Sequence, residues 1–175
     1  MGRILALDVS ECNTGWAVVT VLGQQPEMIL ASGTITTAAD RKIKPKGADD
    51  IRRVSEIAVA LREIAKRYEP DAIVAELPYG SQSAAAAKSA GICLGVLGSL
   101  RVGLGLPCQW VTPQAGKGAV CGSCKASKEA VQEAIIEVWP EVGTWKKHEH
   151  IADALAGLVV ARTSDLYLMV ARIRP

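Results

Sequence analysis

The stretch Ile4-Leu5-Ala6-Leu7-Asp8 decides how this chain is read. Four consecutive apolar residues closed by an acid, with turn signals beyond, read as a buried strand rather than an alternating surface strand. A second run of the same kind, Ala72-Ile73-Val74-Ala75, is closed by Glu76. Each carboxylate therefore stands at the carboxyl end of a strand, where open α/β sheets usually place their sites. An acid at the end of a buried strand is costly without a partner. Further along, His150 and Asp153 are three residues apart at the head of a predicted helix, so they share one face. Asp153 lies in the otherwise apolar stretch 151–161, where solvation does not explain it. Carboxylates gathered in this way repel one another unless divalent cations hold them. Asp8, Glu76, His150 and Asp153 are accordingly a candidate metal site, of the kind that metal-dependent nucleases use.

Working outward, residues 3–9, 15–22 and 28–36 read as three strands joined by short turns at Asn13-Thr14-Gly15 and Gly23-Gln24-Gln25-Pro26, hence an antiparallel meander. Residues 38–47 are polar, basic and loop-like. A helix is expected from Asp49 or Asp50, either of which can cap it. Its apolar positions Ile51, Val54, Ile57, Ala58, Leu61, Ile64, Ala65 and Tyr68 follow the helical period, and Pro70 ends it. A strand over 71–76 and a break at Pro78-Tyr79-Gly80 follow. Residues 83–104 read as a long helix with small residues at Gly91, Gly95 and Gly98 that permit close approach of a partner helix. A short strand at 108–111 precedes a loop over 112–126. Ser127 caps a helix that carries Val131, Ile135, Val138 and Trp139 inward, and a last helix runs from about His148 to Arg162. The order βββ-α-β-α-β-α-α implies a mixed sheet with helices on its faces.

The 175 residues fit one domain, 1–175, with 49% hydrophobic and 22% charged residues, ordinary for a globular protein. Phe is absent, so Ala, Val, Ile and Leu must build the core. The N-terminus does not read as a signal peptide, and the richest apolar stretch, 90–106, is broken by Arg101 and glycines, so no membrane span is expected. A net charge of +2 announces no nucleic-acid binding in bulk. Its distribution says more: Arg41, Lys42, Lys44 and Lys46 crowd one loop, and Lys117, Lys125 and Lys128 another. Such clusters can supply the sequence-independent phosphate contribution to DNA affinity, and each also fits an ordinary solvated loop. Cys121-Gly-Ser-Cys124 has metal-hook spacing, but a structural zinc site needs four ligands, and only His148 and His150 could complete one. Incidental loop cysteines are the better reading.

The order of elements, with one acid in the first strand, one after the fourth and a helical pair near the end, resembles the RNase H-like nuclease fold: a mixed five-stranded sheet, three antiparallel strands then parallel ones, with helices on both faces. Within that group the chain resembles the RuvC Holliday-junction resolvases over about residues 4–161. Ile4-Leu5-Ala6-Leu7-Asp8 followed by Thr14-Gly15-Trp16 is similar to the family's first motif. Glu76 in Ala75-Glu76-Leu77-Pro78-Tyr79 fits the second acid, and His150-Ile151-Ala152-Asp153-Ala154-Leu155-Ala156 resembles the closing motif. Val9-Ser10 stand where the family usually has Pro-Gly, and Gly80-Ser81-Gln82-Ser83 departs from its loop, so no cleavage-sequence preference carries over. Similarity extends to YqgF-type proteins and to compact phage enzymes.

The resemblance implies a magnesium- or manganese-dependent endonuclease with two metals per active site, acting on four-way junctions in the cytoplasm of a bacterial or phage-infected cell. Two divalent ions bridging a scissile phosphate activate water and stabilise the leaving oxygen. Asp8 would bridge them, Glu76 and Asp153 would complete the sites, and His150 would bind the second metal or help deprotonate the water. Tyr79 would stack on bases at the junction centre. Lys117 and Lys128 would neutralise the scissile phosphate, with Lys125 adding to the DNA-binding surface. Glu11 and Glu149 are near enough to substitute as ligands but read as surface acids. A two-fold symmetric junction calls for a homodimer, with helix 83–104 as the candidate interface. The residues carry no signature of a helicase partner. A ribonuclease on RNA–DNA hybrids and a non-catalytic nucleic-acid-binding module remain as competing readings. An actin-like phosphate loop at residues 8–15 would need two lobes and about twice this length.

Overall fold

A computed structural model describes residues 1–23, 27–78, 80, 83–143 and 149–173. Five strands, β1 (Gly2–Asp8), β2 (Asn13–Val21), β3 (Met28–Thr36), β4 (Ala72–Glu76) and β5 (Cys108–Val111), form one mixed sheet in the order β3-β2-β1-β4-β5. β1 is central: β2 runs antiparallel on one side and β4 parallel on the other, with β3 antiparallel and β5 parallel at the edges. This is the expected mixed five-stranded RNase H-like sheet.

Period-two side-chain alternation divides the central strands between two cores. Ile4, Ala6, Ala17, Val19, Ala72 and Val74 face one core, which is closed by α4 (Lys128–Val138), α5 (Glu149–Ala161) and α6 (Asp165–Ile173). Leu5, Leu7, Val18, Ile73 and Ala75 face the other, closed by α1 (Lys46–Tyr68) and α2 (Ala84–Leu104). Asp8 and Glu76 are in phase with Ile4 and Ala72, so the same alternation sends both acids to the α5 side.

α5 lies unusually close to the sheet because small residues meet there. A Cβ on Gly15 would fall 2.0 Å from the His150 carbonyl oxygen, and one on Gly157 would fall 3.0 Å from Val111 Cγ2. With Ala152, Ala154 and Ala156 also buried, the α5 backbone can rest almost on the strands.

Several local expectations are corrected. α1 begins at Lys46, a turn earlier than expected, with Pro45 rather than an aspartate at its N-cap. Asp49 and Asp50 lie buried in its first turns, held by Arg52 and Lys88, and Ile51 is exposed instead of facing inward. Val138 is likewise half-exposed at the end of α4, beyond the reach of the core.

Residues 112–126 are not all loop. Pro113–Cys121 form α3, opened by Pro113 in its first turn and by Thr112, whose hydroxyl accepts the Ala115 N–H at 3.2 Å. Of the glycines that make this segment read as loop, Gly116 packs against Ala156 of α5, while open space surrounds Gly118. α6 is a further helix beyond those expected. Ser164 accepts the Tyr167 N–H at its start, and Glu27 grips both Arg162, at 2.6 and 3.1 Å, and the Tyr167 hydroxyl.

α2 is long and apolar enough to cross a membrane by length and composition. Its stripe Cys93, Val96, Leu97 and Leu100 is buried in the α1-side core, while Leu94 and Val102 are exposed.

Candidate active site

Asp8 and Glu76 are direct neighbours across the parallel β1–β4 pair. α5 delivers the other two groups from above. His150 Nδ1 lies 2.8 Å from Asp8 Oδ2, and one ligand atom from each of Asp8, His150 and Asp153 falls within 4.8 Å of the others. Glu76 is not in that tight trio, but its carboxyl faces the same cavity of about 520 Å³, together with Lys117 and Lys128. The four residues singled out in the sequence are therefore gathered in one place.

The electrostatics are those of crowded carboxylates. Burial, then the charge of Asp8 and that of Asp153, raises Glu76 to about 8. Burial and then Asp8 raise Asp153 to about 6. The hydrogen bond to Asp8, opposed by burial, leaves His150 above its ordinary value. Burial and mutual repulsion favour the protonated forms of Glu76 and Asp153, against the pull of Lys128 on both and of Lys117 on Glu76. A donor set of carboxylate oxygens and one imidazole suits a hard divalent ion such as Mg²⁺ or Mn²⁺, and such an ion would offset the repulsion that adds to burial in raising Glu76 and Asp153. The residues present thus fit divalent metal binding.

The lysines enter from the β5 side. Lys117, on α3, donates to the Ala126 carbonyl oxygen at 2.8 Å, which ties it to the α3–α4 turn. Lys128, the first residue of α4 after the Ser127 cap, pairs with Glu149 at the cavity mouth. That contact raises Lys128. Lys125 is exposed in the turn and does not line the cavity. Tyr79 and His148 lie outside the described residues.

Of the two acids read as surface residues, Glu149 is at the surface and Glu11 is largely buried. Glu149 is engaged by Lys128, as above. The Glu11 side chain is only 13% exposed, with Arg53 Nη1 4.0 Å from Oε1. Arg53 itself is buried and donates to the Glu11 carbonyl oxygen at 2.7 Å. The pairing spans 42 residues, so no local pattern announces it. Cys121 and Cys124 are free thiols at the end of α3 and in the following turn, and among the described residues no metal cluster includes them.

Comparison with known proteins agrees with this architecture. The family model described as Crossover junction endodeoxyribonuclease RuvC matches residues 4–161. RuvC of Neisseria meningitidis serogroup A is 29% identical over 99% of this chain and 91% of its own length. That of Nitratidesulfovibrio vulgaris strain DP4 is 28% identical over 89% of this chain and 87% of its own. Among solved structures, T. thermophilus RuvC in complex with a Holliday junction substrate superposes with a TM-score of 0.75 at 23% identity, covering 91% of this chain and 92% of that one. The yeast mitochondrial Holliday junction resolvase Ydc2 gives 0.63 at 12% identity, covering 99% and 82%. With a family match that runs through both strand acids and the closing His150–Asp153 motif, the chain belongs to the RuvC family of crossover junction endodeoxyribonucleases.

Proposed function

We propose that this enzyme resolves four-way DNA junctions by paired symmetric nicks, hydrolysing one phosphodiester bond in each of two opposed strands. The observation that carries the reading is the convergence of Asp8, His150 and Asp153 within 4.8 Å, in a cavity that Glu76, Lys117 and Lys128 also line. Asp8, Glu76, His150 and Asp153 would hold two divalent ions, Mg²⁺ or Mn²⁺. Such ions, when bound, acidify water and offset charge on the phosphate. Asp8, on the central strand, would be the ligand common to both ions. His150 is placed by its Asp8 contact to take a proton at Nε2 or to serve as a ligand. Lys117 and Lys128 neutralise charge that develops on the non-bridging phosphate oxygens. Lys125 contributes to the surrounding DNA-binding surface, and Tyr79 stacks on bases at the junction centre.

Two cuts need two sites, so the working unit is a homodimer. The exposed face of α2 supports that assignment: Leu94 and Val102 are exposed, and open space surrounds Gly91, Gly95 and Gly98. The setting is the cytoplasm, where branched DNA intermediates arise.

The test is cleavage of a labelled four-way junction, a matched linear duplex and an RNA–DNA hybrid with Mg²⁺, Mn²⁺ or EDTA, alongside Asp8→Asn. Paired symmetric nicks in the junction, lost with EDTA and with the variant, are expected. Preferential cutting of the hybrid would transfer the protein to the ribonucleases. Binding without cutting under every metal would leave a DNA-binding module.

A further inference from the structure

A second cluster of cations lies outside the catalytic cavity, between β3 and α1. Arg41, Lys42, Lys44 and Lys46 are all exposed, and among the described residues none of them joins an ion pair. The acids nearby are already engaged. Asp40 accepts the Lys42 N–H at 2.9 Å. Asp49 takes Arg52 at 2.7 Å on Oδ1 and the Asp40 N–H at 3.2 Å on Oδ2. Asp50 pairs with Lys88. Arg52 also holds the Ala38 carbonyl oxygen at 2.7 Å, so the loop is braced while its positive charges stay unpaired. Arg41, Lys44 and Lys46 line a recess of about 350 Å³ together with Asp40 and Asp49.

The root of this loop is fixed to the catalytic end of the sheet. The Thr37 N–H donates to the Cys12 carbonyl oxygen at 2.9 Å, and Arg53 bridges Thr37 Oγ1 at 3.0 Å and the Glu11 carbonyl oxygen. Both acceptor residues belong to the turn that follows Asp8. The basic loop therefore flanks the catalytic cluster on the β3 side, opposite Lys117 and Lys128 on the β5 side. β3 is two strands from β1, roughly 10 Å at the usual strand spacing.

We propose that residues 41–46 form a phosphate-binding rail for the DNA arm that flanks the cut, gripping its backbone without reading sequence. The inference rests on the DNA-cleaving reading above. It predicts a sequence-independent, strongly salt-dependent contribution to affinity, because each neutralised phosphate releases condensed counterions.

The test compares the full-length wild type with the combined Arg41→Gln, Lys42→Gln, Lys44→Gln, Lys46→Gln variant and with a charge-retaining Arg41→Lys, Lys42→Arg, Lys44→Arg, Lys46→Arg variant. Binding of a fluorescent four-way junction is measured in EDTA from 50 to 200 mM salt, and cleavage is measured at saturating junction. If the Gln variant leaves three phosphates without a cation, the slope of log affinity against log salt falls by about 2.7, so the wild-type advantage shrinks about 40-fold across that range. The charge-retaining variant should keep the wild-type slope, and all three proteins should cut at one rate once saturated. A Gln variant with the wild-type slope, while the wild type still cuts junctions, overturns this inference alone. So does a charge-retaining variant that loses affinity as the Gln variant does, because shape and not charge would then matter. A wild type that neither binds nor cuts branched DNA removes the reading on which the inference stands.

Discussion

Glu76→Gln keeps the size of the side chain and removes its charge, and it should make the metal-free protein more stable. Burial and the charges of Asp8 and Asp153 move Glu76 from 4.5 to about 8 in the folded chain. A folded-state value raised above the unfolded one gives stability that is complete below pH 4.5 and is lost as pH rises through about 8. At 1.36 kcal/mol per pH unit, the loss on reaching pH 7 is on the order of 3 kcal/mol. Glutamine carries no such loss. The variant should therefore melt about 6–12 °C above the wild type at pH 7, at roughly 2–4 °C per kcal/mol for a chain of this size. The two should converge near pH 4, where Glu76 is protonated in both states. Asp153, raised to about 6, acts in the same direction and leaves the variant a smaller decline at lower pH. The assay is thermal unfolding in EDTA at pH 4, 5, 7 and 8, repeated with millimolar Mg²⁺, which should raise the wild type more than the variant. A variant that melts below the wild type at pH 7 in EDTA would refute the reasoning, as would a wild type whose stability does not fall between pH 5 and 8.

Gly15→Ala should cost about 1–3 kcal/mol through overpacking, because its Cβ meets the His150 carbonyl oxygen at 2.0 Å. It should also depress cleavage by lifting α5 off Asp8; unchanged melting and activity would contradict the close approach. Lys128→Ala should lower saturated cleavage by about 10²-fold with a much smaller loss of junction affinity, read from single-turnover rates and binding curves. Glu149→Gln should release Lys128 from its ion pair and tighten junction binding, with the salt slope steeper by about 0.9; weaker binding would make the pair a positioning contact instead. Leu94→Glu, on the exposed face of α2, should convert a dimer to a monomer in sedimentation velocity while leaving the melting temperature of the monomer fold nearly unchanged.

Much of the sheet was legible because buried strands announce themselves locally. The runs ending in Asp8 and Glu76 needed only their own apolar residues and the turns after them. Their common phase then sent both acids to one face, since side chains alternate with a period of two. His150 and Asp153 were readable as one face of a helix for the same kind of reason. Less legible were α3, where glycine content outweighed the Thr112–Pro113 start signal, and α6, whose Ser164 cap follows a helix end only three residues earlier. The start of α1 was misplaced because Asp49 and Asp50 look like caps. They are instead buried partners of Arg52 and Lys88, and the Lys88 contact lies 38 residues away in sequence.

The sequence by itself determined the fold class, the central acid-bearing strands and the four groups of the candidate site, because each rests on a local period or a short motif. Tertiary structure decided how they meet. The 2.8 Å contact between His150 and Asp8 joins residues 142 apart. It depends on Gly15 and Gly157 letting α5 settle onto the sheet, a steric fact about two surfaces in contact. The pairing of Lys128 with Glu149 and the bracing of the basic loop are decided the same way, by distances across the fold that no periodicity within one segment encodes.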